Sequence, residues 1–91
     1  MSVVRRRVVV HGRVQGVFFR DSVRRLAVEH GVAGWVRNTW DGTVEAVFEG
    51  APDDVELLVD YCRDGPPGAK VERVDVDDEP PDGAIGFRVR G

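Results

Sequence analysis

The sequence predicts an α+β fold of order βαββαβ with an added short fifth strand, in which two helices cover one face of a mainly antiparallel sheet. Three observations carry that prediction. Valine-rich or alternating segments recur along the 91 residues, two stretches place apolar residues at helical spacing, and glycine or proline breakers stand between them. A chain of this length is expected to form one domain, residues 1–91, burying about 60–65% of its unfolded surface.

Val3 to Val14 reads as the first strand, with Val8 and Val10 on one face and Val9 on the other, as a central strand requires. The first helix opens at Phe19, carries Phe19, Val23, Leu26 and Ala27 and then His30 at a spacing of three and four, and stops at Gly31. VAGWVRN, residues 32–38, is the second strand; TWDG turns, with Asp41-Gly42 as the hairpin signal, into the third strand TVEAVFEG. That strand alternates Val44, Ala46 and Phe48 against Thr43, Glu45 and Glu49, the pattern of a half-buried strand. Pro52 suits a first helical turn, Asp53 and Asp54 suit the positive end of the dipole, and Val55, Leu58, Val59 and Cys62 form the stripe of a second helix closed by DGPPG. KVERVDV, residues 70–76, is the fourth strand, the acidic DDEPPDG a loop, and IGFRVR, residues 85–90, the fifth strand.

This order has a functional consequence. The first two strands are joined by a helix and run parallel, while the third comes off a hairpin, runs the opposite way and can lie between them. The end of the first strand, GRVQGVFFR at residues 12–20, then shares a sheet edge with Arg37-Asn38 at the end of the second. Two strand spacings separate them by roughly 10 Å, a gap that a phosphate and a water can fill.

The amides from Gln15 to Arg20 lead into a helix N-terminus, where unpaired N–H groups favour an anion, and Gly16 lets the chain curl closely around it. Arg20 can add a planar fork gripping two oxygens. An arginine at this end opposes the helix dipole, so a bound dianion is one reason for it and a surface position beside a tight turn is the other. Asn38 can hold a water in line with a scissile P–O bond, or it can be ordinary turn chemistry before a hairpin.

Other chemistries find no support. The loop matches neither GxGxxG nor GxxxxGK[ST], and Lys70 is the single lysine. A cysteine phosphatase with an arginine six residues on would need cysteine where Val14 stands, and Cys62 belongs to an apolar helical stripe. One cysteine forms no internal disulfide and no cysteine-based zinc site, and His11 and His30 read as structural, so no metal site is expected. With no general acid near the loop, a leaving group that needs no proton is favoured. A carboxylate of pKa about 4 is one, so an acyl phosphate fits these residues best.

Charge divides along the chain: residues 1–40 hold eight arginines against Asp21 and Glu29, net +6, while residues 41–91 hold five basic against fourteen acidic side chains, net −9. This invites an anion-binding side, or folding intermixes both halves into one solvated surface. The absence of a run of about 18 apolar residues, of a signal-peptide pattern and of paired cysteines predicts a cytoplasmic protein without a membrane partner. Monomer is the default expectation.

Over nearly its whole length the chain resembles the acylphosphatases. GRVQGVFFR looks like that family's phosphate-binding signature, GWVRNTWDGTVEAVFEG resembles its second signature, and GPPGAKVERVDV resembles the segment carrying its fourth strand. The resemblance implies a ferredoxin-like α/β sandwich. It also implies hydrolysis of acyl phosphates to a carboxylate and inorganic phosphate without metal or cofactor. By matching position, Arg20 would bind phosphate, Asn38 would orient the attacking water, and the amides of Gln15, Gly16, Val17, Phe18, Phe19 and Arg20 would complete the cradle. Phe19 is expected in the core beneath the loop, Phe18 and Trp40 stand at variable positions, and Gly34, Trp35, Asp41 and Gly42 are read as devices that aim Asn38. The water can pass its proton to the substrate itself. Other readings are weighed: a non-catalytic regulatory module sensing a small anion, or a detached copy of the acylphosphatase-like domain of larger carbamoyl-transfer proteins, and an RNA-binding ferredoxin-like module. The first strand RRRVVVHG and third TVEAVFEG carry no aromatic pair for stacking bases, so no nucleic-acid partner is expected.

Overall fold

Valine alternation, two amphipathic stripes and glycine-rich punctuation resolve into seven elements: β1 (Val4–Arg13), α1 (Phe19–Glu29), β2 (Ala33–Asn38), β3 (Val44–Gly50), α2 (Pro52–Asp64), β4 (Lys70–Glu79) and β5 (Phe87–Arg90). The computed structural model describes residues 2–91. The sheet has the order β4-β1-β3-β2-β5; β3 runs antiparallel to both β1 and β2, and β5 pairs with β2 in parallel. β1 and β2 are therefore parallel with β3 between them, as the helical crossover and the hairpin dictate.

Both helices lie on one face, and their stripes meet the inward valines of the sheet. Phe19, Val23 and Ala27 of α1 and Val55, Leu58, Val59 and Cys62 of α2 are buried against Val8, Val10, Val36, Val44, Ala46 and Phe48. Phe87 joins them by stacking on Phe48 at 5.8 Å between ring centroids. Burial of this kind stabilises by roughly 1.5–3 kcal/mol per large apolar side chain. α1 ends where His30 and Gly31 donate back to Leu26 and Val28 carbonyls at 3.1 and 3.2 Å.

The opposite face departs from the expected solvent side. β3 is covered on both faces: Glu45 and Glu49 are only 6% and 4% exposed. Arg7 and Arg37 converge on Glu45 at 2.6 Å each, and Arg5 reaches Glu49 at 3.0 Å. Arginine stems from the neighbouring strands thus roof the central carboxylates, which alternation by itself could not reveal. The acidic segment also differs from expectation, since β4 extends through Asp77, Asp78 and Glu79, residues read as loop. Each pairs across the ladder with an arginine of β1 (Arg7, Arg6 and Arg5), and the Arg5–Glu79 and Arg6–Asp78 ion pairs at 2.9 Å offset the weak strand propensity of the acids. β5 begins at Phe87, two residues later than expected.

Candidate active site

Register sets the spacing of the site. Val10 and Asn38 flank Val44 on either side, and β1 runs on to Arg13 before the chain folds back through residues 14–18. The fold-back is anchored by two apolar side chains, Val14 at 1% and Phe19 at 2% exposure, with Val17 packed on the core edge. Between them the backbone changes hand: Gly16 has φ 76°, and Phe18 has φ 62°, ψ 26°. Val17 between them keeps the ordinary sign, and alternation of this kind turns successive N–H groups inward as an anion-binding nest. No backbone N–H from residue 16 to residue 21 finds a backbone acceptor among the described residues; the first helical bond is Ser22 N–H to the Phe18 carbonyl at 3.0 Å.

These amides open on a cleft of about 370 Å³ whose walls include Gly16, Phe18, Phe19, Arg20, Asn38 and Val89. The structure therefore brings together Arg20 and Asn38, the two residues the sequence singles out. Arg20 is half-buried and makes no ion pair among the described residues, and the Asn38 side chain has no hydrogen-bond partner there. Gln15 and Val17 do not line the cleft, so only their amides can serve a ligand in it. Asp21 is also on the wall, with its carboxylate held by Arg25 at 2.7 Å.

Hydrogen bonds brace the loop and the turn around these groups. Gln15, expected to contribute an amide, also acts through its side chain, whose Nε2 donates to the Thr39 carbonyl at 2.7 Å and the Thr43 carbonyl at 2.9 Å. One side chain thereby ties the loop that bears the nest to the turn that follows Asn38. Asp41 holds that turn from within, accepting from the hydroxyls of Thr39 and Thr43 and from Thr43 N–H, and these bonds keep its pKa below the ordinary carboxylate value. A Cβ at Gly34 would meet the Val47 carbonyl at 1.8 Å, so close strand approach accounts for that glycine. The guanidiniums of Arg37 and Arg90 stand over the Trp35 ring, 5.6 and 4.7 Å from its centroid. None of Gly34, Trp35, Asp41 and Gly42 lines the cleft.

The sequence reading missed two supports. Gly65, taken as a helix breaker, also leaves room for the Phe19 ring, since a Cβ there would lie 2.6 Å from Phe19 Cε2. Val89 lines the cleft from β5, which the short strand pattern could not signal. The remaining reactive types stand elsewhere. Burial pushes the Cys62 thiol up to about 12. His11 pairs with Asp75 at 2.9 Å and His30 lies 3.7 Å from Asp54, both away from the cleft. Among the described residues no three His, Cys, Asp or Glu side chains are grouped as a metal site requires, and no helix is long and apolar enough to cross a membrane.

The acylphosphatase family profile matches residues 6–89. An acylphosphatase of Rubrobacter xylanophilus is 61% identical over 85 residues, covering 92% of this chain and 77% of the relative. One from Thermococcus kodakarensis is 54% identical over 91 residues, spanning 100% of both. The solved structure of an acylphosphatase from Coxiella burnetii superimposes with a TM-score of 0.92 at 41% identity, covering 97% of this chain and 93% of that one.

Proposed function

The chain belongs to the acylphosphatase family, and its activity is that family's hydrolysis of an acyl phosphate to a carboxylate and inorganic phosphate; on that premise we propose how its residues divide the work. The transferring phosphoryl group sits in the nest formed by the amides of residues 15–20, and Arg20 grips two of its oxygens. Asn38 holds the attacking water opposite the leaving group. The transition state is loose, so most of the catalytic effect comes from positioning and from fixed donors aimed at the equatorial oxygens. The carboxylate departs without a general acid, and the water gives its proton to the substrate.

The observation that carries this reading is the convergence, on one cleft, of unpartnered amides, an unpaired guanidinium and a free carboxamide. We further propose that residues 1–91 act as one domain, as a cytoplasmic monomer with no metal, cofactor or nucleic-acid partner. The test is release of inorganic phosphate from benzoyl phosphate in EDTA, with Arg20→Ala and a phosphate monoester as controls. Turnover of the acyl phosphate alone, lost in the variant, is expected. Unchanged turnover in Arg20→Ala would remove the arginine from the site, and loss of native turnover in EDTA would refute the metal-free assignment.

A further inference from the structure

On the face of the sheet that carries no helix, β5 turns two arginines outward. Phe87 is buried toward the helices, and strand alternation sends Arg88 and Arg90 to the other side, about 6.6 Å apart along the strand. Arg5, Arg7 and Arg37 on that face are engaged by Glu49 and Glu45. Arg88 and Arg90 have no acidic partner within ion-pair range among the described residues.

Both line a hollow of about 400 Å³ whose walls include Trp35, Asp82 and Ile85. The Arg90 guanidinium stands over the Trp35 ring, 4.7 Å from its centroid, a contact that steadies it while leaving its N–H groups to another acceptor. The far wall is fixed by Glu49, 4% exposed, which accepts from the N–H groups of Asp82, Gly83 and Ala84 at 2.9, 2.8 and 3.1 Å. One buried carboxylate thus pins the loop that carries Asp82 and Ile85. The Ile85 side chain is 91% exposed, so the core does not use it.

Each part selects a piece of a ligand. Two unpaired forks on one strand face suit a single phosphate dianion whose oxygens both can reach. Asp82 repels a bare anion but accepts from hydroxyls, as an acidic residue does at a ribose. Trp35 and Ile85 offer surface to a flat ring. The volume exceeds what inorganic phosphate needs and falls in the range of small-molecule sites.

We propose that this hollow binds a nucleoside monophosphate, with phosphate on Arg88 and Arg90, ribose hydroxyls on Asp82 and the base against Trp35 and Ile85. The site is separate from the catalytic cleft, which β5 meets through Val89 on its opposite side.

Isothermal titration calorimetry tests this with AMP, a dideoxy-AMP lacking both ribose hydroxyls, ribose phosphate and inorganic phosphate. The proteins are native, Arg20→Ala, which disables the catalytic cradle, and the double variant Arg88→Gln, Arg90→Gln. AMP affinity is expected to fall at least about tenfold in the double variant and to stay within about twofold of native in Arg20→Ala. Ribose phosphate should bind about tenfold more weakly than AMP, and dideoxy-AMP about threefold more weakly. Should the double variant unfold, Ile85→Ala decides, with AMP affinity about threefold lower and inorganic phosphate unaffected. Unchanged AMP affinity in the folded double variant, or its loss in Arg20→Ala, would put the nucleotide in the catalytic cleft and overturn the proposal. Equal affinity for AMP and inorganic phosphate, or no AMP binding at millimolar concentration, would overturn it as well.

Discussion

Replacing Gly65 by alanine tests whether the floor of the site is as tight as it looks. Gly65 has φ 71°, ψ −177°, a backbone region that only glycine occupies at ease, and holding another residue there costs about 1–3 kcal/mol. The new Cβ would also lie 2.6 Å from Phe19 Cε2 and 3.0 Å from the Ala69 Cβ, so the ring must move or the segment must yield. Overpacking of that kind costs about 1–3 kcal/mol, giving roughly 2–6 kcal/mol in all. For 91 residues the entropy of unfolding converts each kcal/mol into about 5 °C of Tm, so the variant should melt about 10–30 °C lower. Gly83→Ala is the control, with a similar φ of 73° and open space around it, and should lose about 5 °C from backbone strain alone. Circular dichroism melts of the two variants separate strain from clash. A Gly65→Ala melt within about 3 °C of Gly83→Ala would refute the claim that Phe19 is wedged. Phe19 precedes Arg20, so the same variant, assayed well below its Tm, should also lose about 10- to 100-fold in kcat as the arginine is displaced.

The other predictions concern the charges. Arg20→Lys keeps the charge but loses the fork, so kcat/KM for benzoyl phosphate should fall by about 100-fold or more, and near-native turnover would place the phosphate elsewhere. Asn38→Ala should leave competitive inhibition by inorganic phosphate within about threefold while kcat drops at least about 100-fold; equal losses would mean that Asn38 shapes the loop instead. Burial alone would raise the pKa of Glu49, but the Asp82 N–H, the Arg5 guanidinium and the N–H groups of Ala84 and Gly83 outweigh it and hold it below 4.5. In Glu45, burial is likewise outweighed by Arg37 and Arg7. Both contributions are present above the unfolded value near 4.5 and are lost as pH falls through the lower folded values, so the urea midpoint should drop on acidification below about 4.5. Glu49→Gln should be less stable than native at pH 7 and show a shallower acid decline; parallel declines would deny Glu49 a share in acid unfolding.

Legibility followed the range of the interactions involved. Local signals sufficed for both helices, because the stripe from Phe19 and the stripe from Val55 each bury as a unit within one element. The hairpin at Asp41-Gly42 fixed strand order, and strand order brought Asn38 to the same edge as the loop, so both proposed catalytic side chains were readable before any coordinate. What escaped depends on partners far away in the chain. Asp77 to Glu79 look like loop in isolation and become strand through the arginines of β1, about 70 residues earlier. The second role of Gly65 is set by Phe19, and the place of Val89 by parallel pairing with β2. Left-handed Phe18 had no signal at all, since φ is not written in a side chain that avoids it.

The same long-range pairing explains why a net-acidic chain can present an anion site. The excess of arginine in the first forty residues left open a basic side or an intermixed surface, and four of the eight arginines are compensated by acids that arrive later. Arg5 meets Glu49 and Glu79, Arg6 meets Asp78, and Arg7 and Arg37 share Glu45, at 2.6 to 3.0 Å. These pairs lie along the sheet, where a guanidinium and a carboxylate that close largely cancel each other's field. Of the eight arginines in the first forty residues, Arg13, Arg20 and Arg24 have no acidic partner within ion-pair range among the described residues, and of these three Arg20 lines the cleft. At an effective dielectric of 20, one guanidinium and one phosphate charge at 4 Å attract by about 4 kcal/mol, whereas beyond about 10 Å salt screens the rest of the surface. The asymmetry along the chain is therefore a pairing pattern between strands, and the local field that recruits phosphate comes from one arginine and a row of amides.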